Sequence, residues 1–313
     1  MHTFRAMNCQ MTAWVYTDDS LHAQKALLHV EQWMKRVERE LSRFQAESDL
    51  SRLNAAGGAP YRAGALLWQT TLVALDAARA SNGLFDPTIG QALNAAGYDR
   101  SFRLMAKHRQ KEATHTPTPS TDATWRHIQL DTVHRTITLP PGVQLDLGGI
   151  AKGWAADRAL ARLQALGPAM VDAGGDLAIG DAPPGEEGWL VAVADPFAPD
   201  TDLALLSLAR VGLATSGTDH RHWWQGDHRQ HHLIDPKQGQ PARTSILTAT
   251  VIAPTATEAD AVALTLVIMG LDAAERWVHR HPDTPVLLVQ TDGRTNQNQA
   301  FARYARAYFP AYT

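Results

Sequence analysis

Cysteine, long apolar runs and an excess of one charge are all scarce in this chain of 313 residues. The single cysteine, Cys9, excludes an internal disulfide, and a lone thiol fits a reducing compartment. No apolar stretch reaches the roughly 20 residues that a membrane-spanning helix needs, so we expect no membrane span. The formal net charge is only -3, so the composition gives no support for a nucleic-acid partner.

The amino terminus also lacks the features of a secretory signal. Such a signal has a basic start followed by an apolar run of about 7–15 residues. Arg5, Asn8 and Gln10 interrupt any such run here. A lipid-anchored cysteine would need the same apolar segment before it, so Cys9 is not expected to carry a lipid. We therefore expect a cytoplasmic protein.

Histidine is frequent, and five of the 14 histidines lie between His220 and His232. Such a group could bind a metal, but surface histidines in a polar loop are the commoner explanation.

The spacing of apolar residues predicts an α+β fold in a single domain, residues 1–313. Helical spacing covers residues 20–42, 66–80, 150–166, 259–269 and 272–280. Short alternating or apolar segments predict strands at residues 11–17, 127–130, 136–139, 143–147, 169–172, 177–179, 189–194, 203–208, 213–215, 246–253 and 286–290. Runs of strands with a few separated helices favour α+β over a doubly wound sheet. Residues 106–124 are polar and predict an exposed, mobile excursion.

A glycine turn between a predicted strand and a predicted helix is the first candidate for a site. Gly148 and Gly149 allow the backbone to turn tightly, and the helix that follows presents N–H groups suited to phosphate. Lys152 could add its charge to the same anion. The spacing is not that of a P-loop. A plain helix entry is the alternative explanation.

Two further segments have small residues where a ligand could approach the backbone. Gly174 and Gly175 lie between two predicted strands, which indicates a hairpin turn or a backbone that lies against a cofactor. Thr215–Gly217 ends a strand and could donate hydroxyl and N–H groups to phosphate. Downstream, His232 is either a proton carrier, a phosphate donor or a structural histidine, and Asp235 with Pro236 predicts a turn.

An acidic segment near the last long helices is the fourth candidate. Thr257 and Asp260 have the spacing of an acidic variant of a helix-capping box, which would make Asp260 structural. Alternatively, Asp260 is a hard oxygen ligand for Mg²⁺.

Taken in order, these segments resemble the FAD:protein FMN transferase family, also called the ApbE family. The matching stretches run from about Phe4 to Gly270 and read FRAM, SRF, SDLSRLN, GLFDPTIG, LDLGGIAKGWAAD, VDAGGD, ATSG, HLIDPKQG and TEADAVA. The resemblance implies an α+β body with a T-fold-like antiparallel sheet, flanking helices and an FAD cleft. It also implies a reaction, in which FMN passes from FAD to a threonine or serine hydroxyl of an acceptor flavoprotein and AMP is released.

The resemblance further implies roles for individual residues. His232 and Asp260 match catalytic positions of the family. The positions that match its flavin- and phosphate-contacting segments are Asp86, Thr88, Lys152, Gly174, Gly175, Asp176, Thr215, Ser216, Gly217 and His232. The implied ligands of Mg²⁺ are the carbonyl of Ala151, the carboxylate of Asp260 and a threonine four residues beyond Asp260.

That threonine is replaced in this chain. Leu264 stands four residues after Asp260, and Thr265 follows one step later, about 100° further around the helix. Thr265 is the alternative ligand. Either the metal is held by Ala151, Asp260, phosphates and waters, or metal binding and transfer are weak or lost. The sequence also has Asn8 where the family usually has glycine, a substitution that a left-handed turn tolerates.

Three hypotheses follow from the sequence. The first is a Mg²⁺-assisted FAD:protein FMN transferase. The second is an FAD pyrophosphatase that gives FMN and AMP, because water can replace the acceptor hydroxyl. The third is a non-catalytic FAD-binding protein, which the loss at Leu264 would produce.

Overall fold

The computed structural model describes residues 1–105, 124–198 and 200–308. The predicted polar excursion lies outside the described residues, except for Thr124 at its end. The chain divides into two compact units: unit 1 contains Met1–Met34, Lys152–Asp219 and Thr244–Thr313, and unit 2 contains Lys35–Ala151 and His220–Arg243. The single domain stays a prediction.

The helices of the described residues are α1 Ser20–Leu41, α2 Asp49–Ala55, α3 Ala65–Ala80, α4 Gly90–Ala95, α5 Phe102–Met105, α6 Ala151–Leu163, α7 Ala256–Met269, α8 Leu271–Arg280 and α9 Gln299–Ala302, with a 3-10 turn at Thr124–His127. The five predicted helices correspond to α1, α3, α6, α7 and α8, with ends shifted by at most three residues. None of the described helices is both long enough and apolar enough to cross a membrane.

The strands of the described residues are β1 His2–Ala6, β2 Cys9–Val15, β3 Tyr61–Arg62, β4 Gln129–Asp131, β5 Thr136–Thr138, β6 Ala169–Asp172, β7 Leu177–Ile179, β8 Trp189–Ala194, β9 Asp202–Leu208, β10 Val211–Gly217, β11 His222–Gln225, β12 His228–His231, β13 Ile234–Asp235, β14 Gln240–Pro241, β15 Ile246–Ala253, β16 Val286–Gln290, β17 Thr295–Gln297 and β18 Ala305–Tyr308. Every paired strand runs antiparallel to its neighbours. The predicted α+β class with an antiparallel sheet is confirmed.

Unit 1 is built on a sheet of eight strands in the order β1-β2-β6-β7-β10-β15-β16-β17. Strand β15 is an apolar run that is buried at seven of its eight positions, because both faces of the sheet are covered. Helix α7 contacts β10 and β15. Leu213 and Ile252 belong to an apolar cluster with Leu206 and Phe301, which joins the sheet to β18-β9-β8.

The first hairpin of unit 1 explains how the chain tolerates Asn8. Residues Ala6 and Cys9 pair directly, so Met7 and Asn8 form a two-residue loop. Both have positive φ, 49° and 63°, which is the requirement of a type I′ turn. Asparagine adopts this conformation more readily than most residues.

Unit 2 holds smaller sheets and the short helices. Its core contains Tyr98, Met105, Trp223 and Ile234, and the Trp223 indole donates to the carbonyl of Ala96 at 2.8 Å. The histidine-rich segment forms the β11–β12 hairpin and its flanks rather than a polar loop. Among the residues the structure describes, no three His, Cys, Asp or Glu side chains are grouped so that they could hold a metal.

The predicted strand at 143–147 is wrong. Only one parallel bridge, between Ile89 and Gln144, forms in this segment. The Asn54 side chain accepts from the Leu145 N–H at 2.8 Å and donates to the Leu145 carbonyl at 2.9 Å. The amide of Asn54 therefore takes the place of a neighbouring strand, and apolar alternation alone does not reveal such a partner.

Candidate functional site

Three of the predicted site residues of unit 1 lie close together: a lysine and two aspartates. Lys152 lies in the first turn of α6, and its ammonium donates to the carboxylate of Asp176 and lies 3.9 Å from Oδ2 of Asp260. The side chains are 12%, 3% and 6% exposed, respectively. A single ammonium therefore faces two buried carboxylates, contributed by the β6–β7 turn and by α7.

The β6–β7 turn has the predicted hairpin geometry. Gly174 and Gly175 have φ of 76° and 98°, which only glycine adopts without strain. The Asp172 carboxylate accepts the Gly175 N–H at 2.7 Å, and burial raises the pKa of Asp172 above its ordinary value. A Cβ on Gly174 would lie 2.5 Å from Cβ of Cys9, whereas nothing lies within 4 Å of a Cβ on Gly175. Gly175 therefore presents open backbone on one side of the turn.

The glycine turn before α6 uses several of its own N–H groups. The Gly148 N–H donates to Oδ1 of Asp146 at 2.8 Å, and the Ala151 N–H donates to the Leu147 carbonyl at 2.9 Å. Asp146 is in turn held by Nε of Arg43 at 2.6 Å, in a pair that is 8% and 14% exposed. These bonds shape the turn, so Lys152 is the stronger candidate for binding an anion at the start of α6.

At the end of β10, two of the predicted residues point to opposite faces of the sheet. Side chains alternate along a strand, so Thr215 and Ser216 lie on opposite faces of the sheet. The Thr215 hydroxyl lies 2.9 Å from the hydroxyl of Thr250, its cross-strand partner. Ser216 is 9% exposed and shares its face with Gly212, which lies against the start of α7. Ser216 is therefore on the side of the sheet that α7 covers.

The capping explanation for Asp260 is wrong. The N-cap of α7 is Thr255, whose side chain accepts the Glu258 N–H at 3.1 Å, so the capping box is Thr255 with Glu258. The hydroxyl of Thr257 donates to Asp157 of α6 instead. Asp260 lies a turn inside the helix, only 4% exposed, and carries no capping role.

Asp260 fits a hard cation better than the residues that follow it. Its buried carboxylate faces the ammonium of Lys152, which also pairs with Asp176. Carboxylate oxygens are ligands that Mg²⁺ accepts. Leu264, one turn on, offers no side-chain oxygen. The Thr265 hydroxyl donates to the Ala261 carbonyl of its own helix at 2.7 Å.

In unit 2, the Asp86 carboxylate folds back on its own loop. Its Oδ1 accepts the N–H of Thr88 at 2.7 Å and the Thr88 hydroxyl at 2.5 Å. The Thr88 hydroxyl also lies 2.5 Å from that of Thr124. Burial raises the pKa of Asp86, and the bonds from Thr88 offset part of that rise. The loop is thus rigidly held by its own side chains.

The two adjacent histidines of unit 2 have different surroundings. His231 Nδ1 accepts the Leu233 N–H at 3.3 Å, so its Nε2 carries the proton and donates to the Ala242 carbonyl at 3.0 Å. Burial lowers the pKa of His231, which keeps the ring neutral. His231 is therefore a structural histidine. His232 follows it at the end of the strand, half-buried.

Sequence reasoning assigned no role to three residues that hold these segments in place: Arg43, Asn54 and Asp157. Each lies inside a stretch that resembles the family, in SRF, SDLSRLN and LDLGGIAKGWAAD. A polar residue beside an apolar pattern was the available signal, but its partner lies about 90 to 100 residues away in each case.

Comparison with known proteins gives a consistent result. The sequence profile of the ApbE family matches residues 7–288. An FAD:protein FMN transferase of Treponema pallidum is 32% identical over 86% of this chain and 78% of its own length. One from Haemophilus influenzae is 28% identical over 92% of this chain and 86% of its own length.

Solved structures agree on the fold. The crystal structure of an ApbE protein from Thermotoga maritima superposes with a TM-score of 0.85 at 24% identity, over 98% of this chain and 99% of that one. The apo flavinyl transferase ApbE of Pseudomonas stutzeri gives 0.80 at 23% identity, over 98% and 97%.

Proposed function

This chain belongs to the ApbE family, whose matched relatives are FAD:protein FMN transferases, and we propose how its residues move FMN from FAD to an acceptor protein. The observation that carries the proposal is the position of Lys152 between the buried carboxylates of Asp176 and Asp260. With one positive and two negative charges, this group suits a divalent cation, and such a cation together with Lys152 would suit the doubly charged pyrophosphate of FAD.

The reaction exchanges the phosphoanhydride bond of FAD for a phosphoester bond to the acceptor. The hydroxyl oxygen of an acceptor threonine or serine attacks the phosphorus of the FMN half. The bond from that phosphorus to the bridging oxygen breaks, and AMP leaves with the bridging oxygen. The hydroxyl proton passes to a base, for which His232 is the candidate, because an imidazole accepts a proton near neutral pH. His231, neutral and held by backbone groups, is not available for this role.

Lys152 supplies charge and position rather than proton transfer. The ammonium donates to Asp176, and both side chains are buried, so the lysine side chain has little conformational freedom. A pyrophosphate oxygen would meet an ammonium that is already oriented, which reduces the entropic cost of binding. We therefore assign Lys152 to contact with the phosphates, the role that its motif implies.

Magnesium would be held by the carboxylate of Asp260 and the carbonyl of Ala151, with phosphate oxygens and waters in the remaining positions. When bound, Mg²⁺ supplies charge neutralisation and polarisation of the phosphoryl oxygens. The burial of Asp260 and its freedom from a capping role support this assignment. Leu264 removes one protein oxygen, so we expect weaker metal affinity than a threonine would give.

The flavin side of the ligand would lie against backbone. Gly175 leaves open space where any other residue would place a Cβ, and Gly174 completes the turn. Ser216 offers its hydroxyl on the face of the sheet that α7 covers, whereas Thr215 and Gly217 can contribute there only through their backbone. In unit 2, Asp86 and Thr88 stabilise their own loop, and a role in binding the flavin is the one that their motif implies.

The test is a transfer assay with intact-mass detection. The purified protein is incubated with FAD, Mg²⁺ and an acceptor flavoprotein that carries a target threonine. A mass increase of one FMN that disappears with EDTA and in Asp260→Ala supports the proposal. FAD that stays intact although it is bound would contradict the transferase and support the binding protein. FAD cleaved to FMN and AMP with an unmodified acceptor would support the pyrophosphatase.

A further inference from the structure

The first turn of α7 is anchored to α6 by one carboxylate. Oδ1 of Asp157 accepts the Ala256 N–H at 2.9 Å, and its Oδ2 accepts the Thr257 N–H at 3.0 Å. The Thr257 hydroxyl also donates to Oδ2. Three donors from two consecutive residues thus converge on a side chain that lies about 100 residues earlier in the chain.

Two glycines bring the same turn into close contact with its neighbours. A Cβ on Gly153 of α6 would lie 2.6 Å from the Ala256 carbonyl oxygen. A Cβ on Gly212 of β10 would lie 2.1 Å from the Ala256 nitrogen. The start of α7 is therefore fixed from two sides, with no room for even a methyl group.

Asp157 is not needed to form the helix end itself. Thr255 already caps α7 by accepting the Glu258 N–H, and the Ala259 N–H bonds to the Thr255 carbonyl. Asp157 satisfies the remaining first-turn N–H groups from another element. The bonds of Asp157 therefore fix the position of the start of α7 against α6. Thr255 supplies the cap with which the helix begins.

The position of the Asp260 carboxylate depends on the position of that first turn of α7. Ala256 and Asp260 are four residues apart and lie on the same face of α7. A helix is stiff over one turn, so a shift of its first residues moves the Asp260 carboxylate by a similar amount. The carboxylate lies 3.9 Å from the Lys152 ammonium, and Lys152 belongs to the same helix as Asp157.

We propose that Asp157 is a positioning residue, which sets the register of α7 against α6 and so holds the Asp260 carboxylate where a divalent cation is bound. The inference rests on the proposed function in one respect, the role of Asp260 as a metal ligand. Asp157 acts through Asp260 and touches neither metal nor flavin. Where Leu264 leaves few protein ligands, the placement of Asp260 determines more of the metal affinity.

The test compares metal binding with turnover in the full-length protein. In Asp157→Asn, an amide NH₂ replaces one acceptor oxygen and faces a donor, so the anchor is broken without loss of volume. We measure the Kd of Mn²⁺ by electron paramagnetic resonance in the presence of FAD, and kcat and KM for Mg²⁺ in the transfer assay. We expect a rise of about 10–100-fold in the Kd, as for other residues that orient a ligand, with kcat largely recovered at saturating Mg²⁺.

A milder pair keeps the test informative if Asp157→Asn does not fold. Thr257→Val removes the hydroxyl that donates to Asp157, and Thr257→Ser retains it. Weaker Mn²⁺ binding in the valine variant, restored in the serine variant, supports the proposal. Equal affinity in both, together with an unchanged Kd in any folded Asp157→Asn, overturns it.

A matched control separates positioning from general stability. Asn298 caps α9 in unit 1 and also makes three bonds, with the N–H groups of Val286 and Phe301 and the Thr284 carbonyl. Asn298→Ala should lower the melting temperature and leave the Mn²⁺ affinity unchanged. If it weakens Mn²⁺ binding as much as Asp157→Asn does, Asp157 has only a structural role.

Asp260→Ala distinguishes the two proposals. If Mn²⁺ binds this variant as well as the parent protein, the metal assignment of the proposed function fails. If Asp260→Ala loses Mn²⁺ and Asp157→Asn retains it, the positioning role of Asp157 alone fails.

Discussion

Replacing Lys152 by methionine tests the charge balance at the centre of the site. The change keeps most of the length of the side chain and removes the ammonium that Asp176 and Asp260 face. Both carboxylates are nearly inaccessible, at 3% and 6% exposure. Removing one partner of a buried ion pair costs about 3–5 kcal/mol, because the remaining charge stays desolvated. Lys152 itself is 12% exposed, so we expect the lower end of that range.

The assay is urea unfolding followed by tryptophan fluorescence, in a double-mutant cycle with Asp176→Asn. If the two groups interact directly, the double variant loses less than the two single variants together, by about 1–3 kcal/mol. Lys25→Met, on the exposed part of α1, is the control for a lysine-to-methionine change and should alter stability by less than about 0.5 kcal/mol.

Magnesium gives an independent measure of the same balance. A divalent cation beside Asp260 would replace the missing positive charge, so Mg²⁺ should raise the melting temperature of Lys152→Met more than that of the parent protein. A loss of less than about 1 kcal/mol, together with no coupling to Asp176, would refute the idea that the ammonium balances these carboxylates.

Three further predictions concern other parts of the molecule. Leu264→Thr places a hydroxyl on the face of α7 that carries Asp260, so the KM for Mg²⁺ should fall, by about tenfold if the oxygen binds the metal; an unchanged KM in the transfer assay would show that the position is irrelevant to the metal. Gly174→Ala introduces a Cβ 2.5 Å from Cys9 at a φ of 76°, whereas Gly185→Ala, with a φ of 83°, meets nothing within 4 Å. Thermal unfolding should show a loss above about 2 kcal/mol for the first and about 1 kcal/mol for the second, and equal losses would contradict the contact with Cys9. Burial raises the pKa of the Asp86 carboxyl above its ordinary value of 3.8. The contribution of Asp86 to the free energy of unfolding is therefore fully present below pH 3.8 and is lost as the pH rises through the raised pKa. Asp86→Asn should therefore flatten the dependence of the unfolding free energy on pH just above 3.8, and an unchanged slope would refute this assignment.

Much of the secondary structure follows from local spacing. The helices α1, α3, α6, α7 and α8 appear where the apolar spacing predicts them. Helix α7 is buried nearly all round rather than along one face. The short elements were not predicted, as for α2 and α4, since a few residues carry too little periodicity. The strand predicted at 143–147 fails for a different reason. Its apolar alternation is real, but the partner of Leu145 is the side chain of Asn54, not another strand.

The start of α7 shows how a local pattern can be read at the wrong position. Thr257 and Asp260 have a capping spacing, but so do Thr255 and Glu258, which form the actual cap. Tertiary contact makes the choice, because Asp157 engages Thr257 and its N–H. Asp260 therefore lies inside the helix, beyond the cap.

The motifs, their order and the resemblance to one family are properties of the chain alone, and so are the identities of Lys152, Asp176 and Asp260. Their proximity in space is decided by the tertiary structure, because these residues come from the start of one helix, a hairpin turn and the interior of another helix. The separation of Thr215 from Ser216 and the difference between His231 and His232 also depend on what each face contacts. Spacing along a chain determines which way a side chain points within its own element, whereas charge balance, burial and hydrogen-bond partners depend on which elements the folded core brings together.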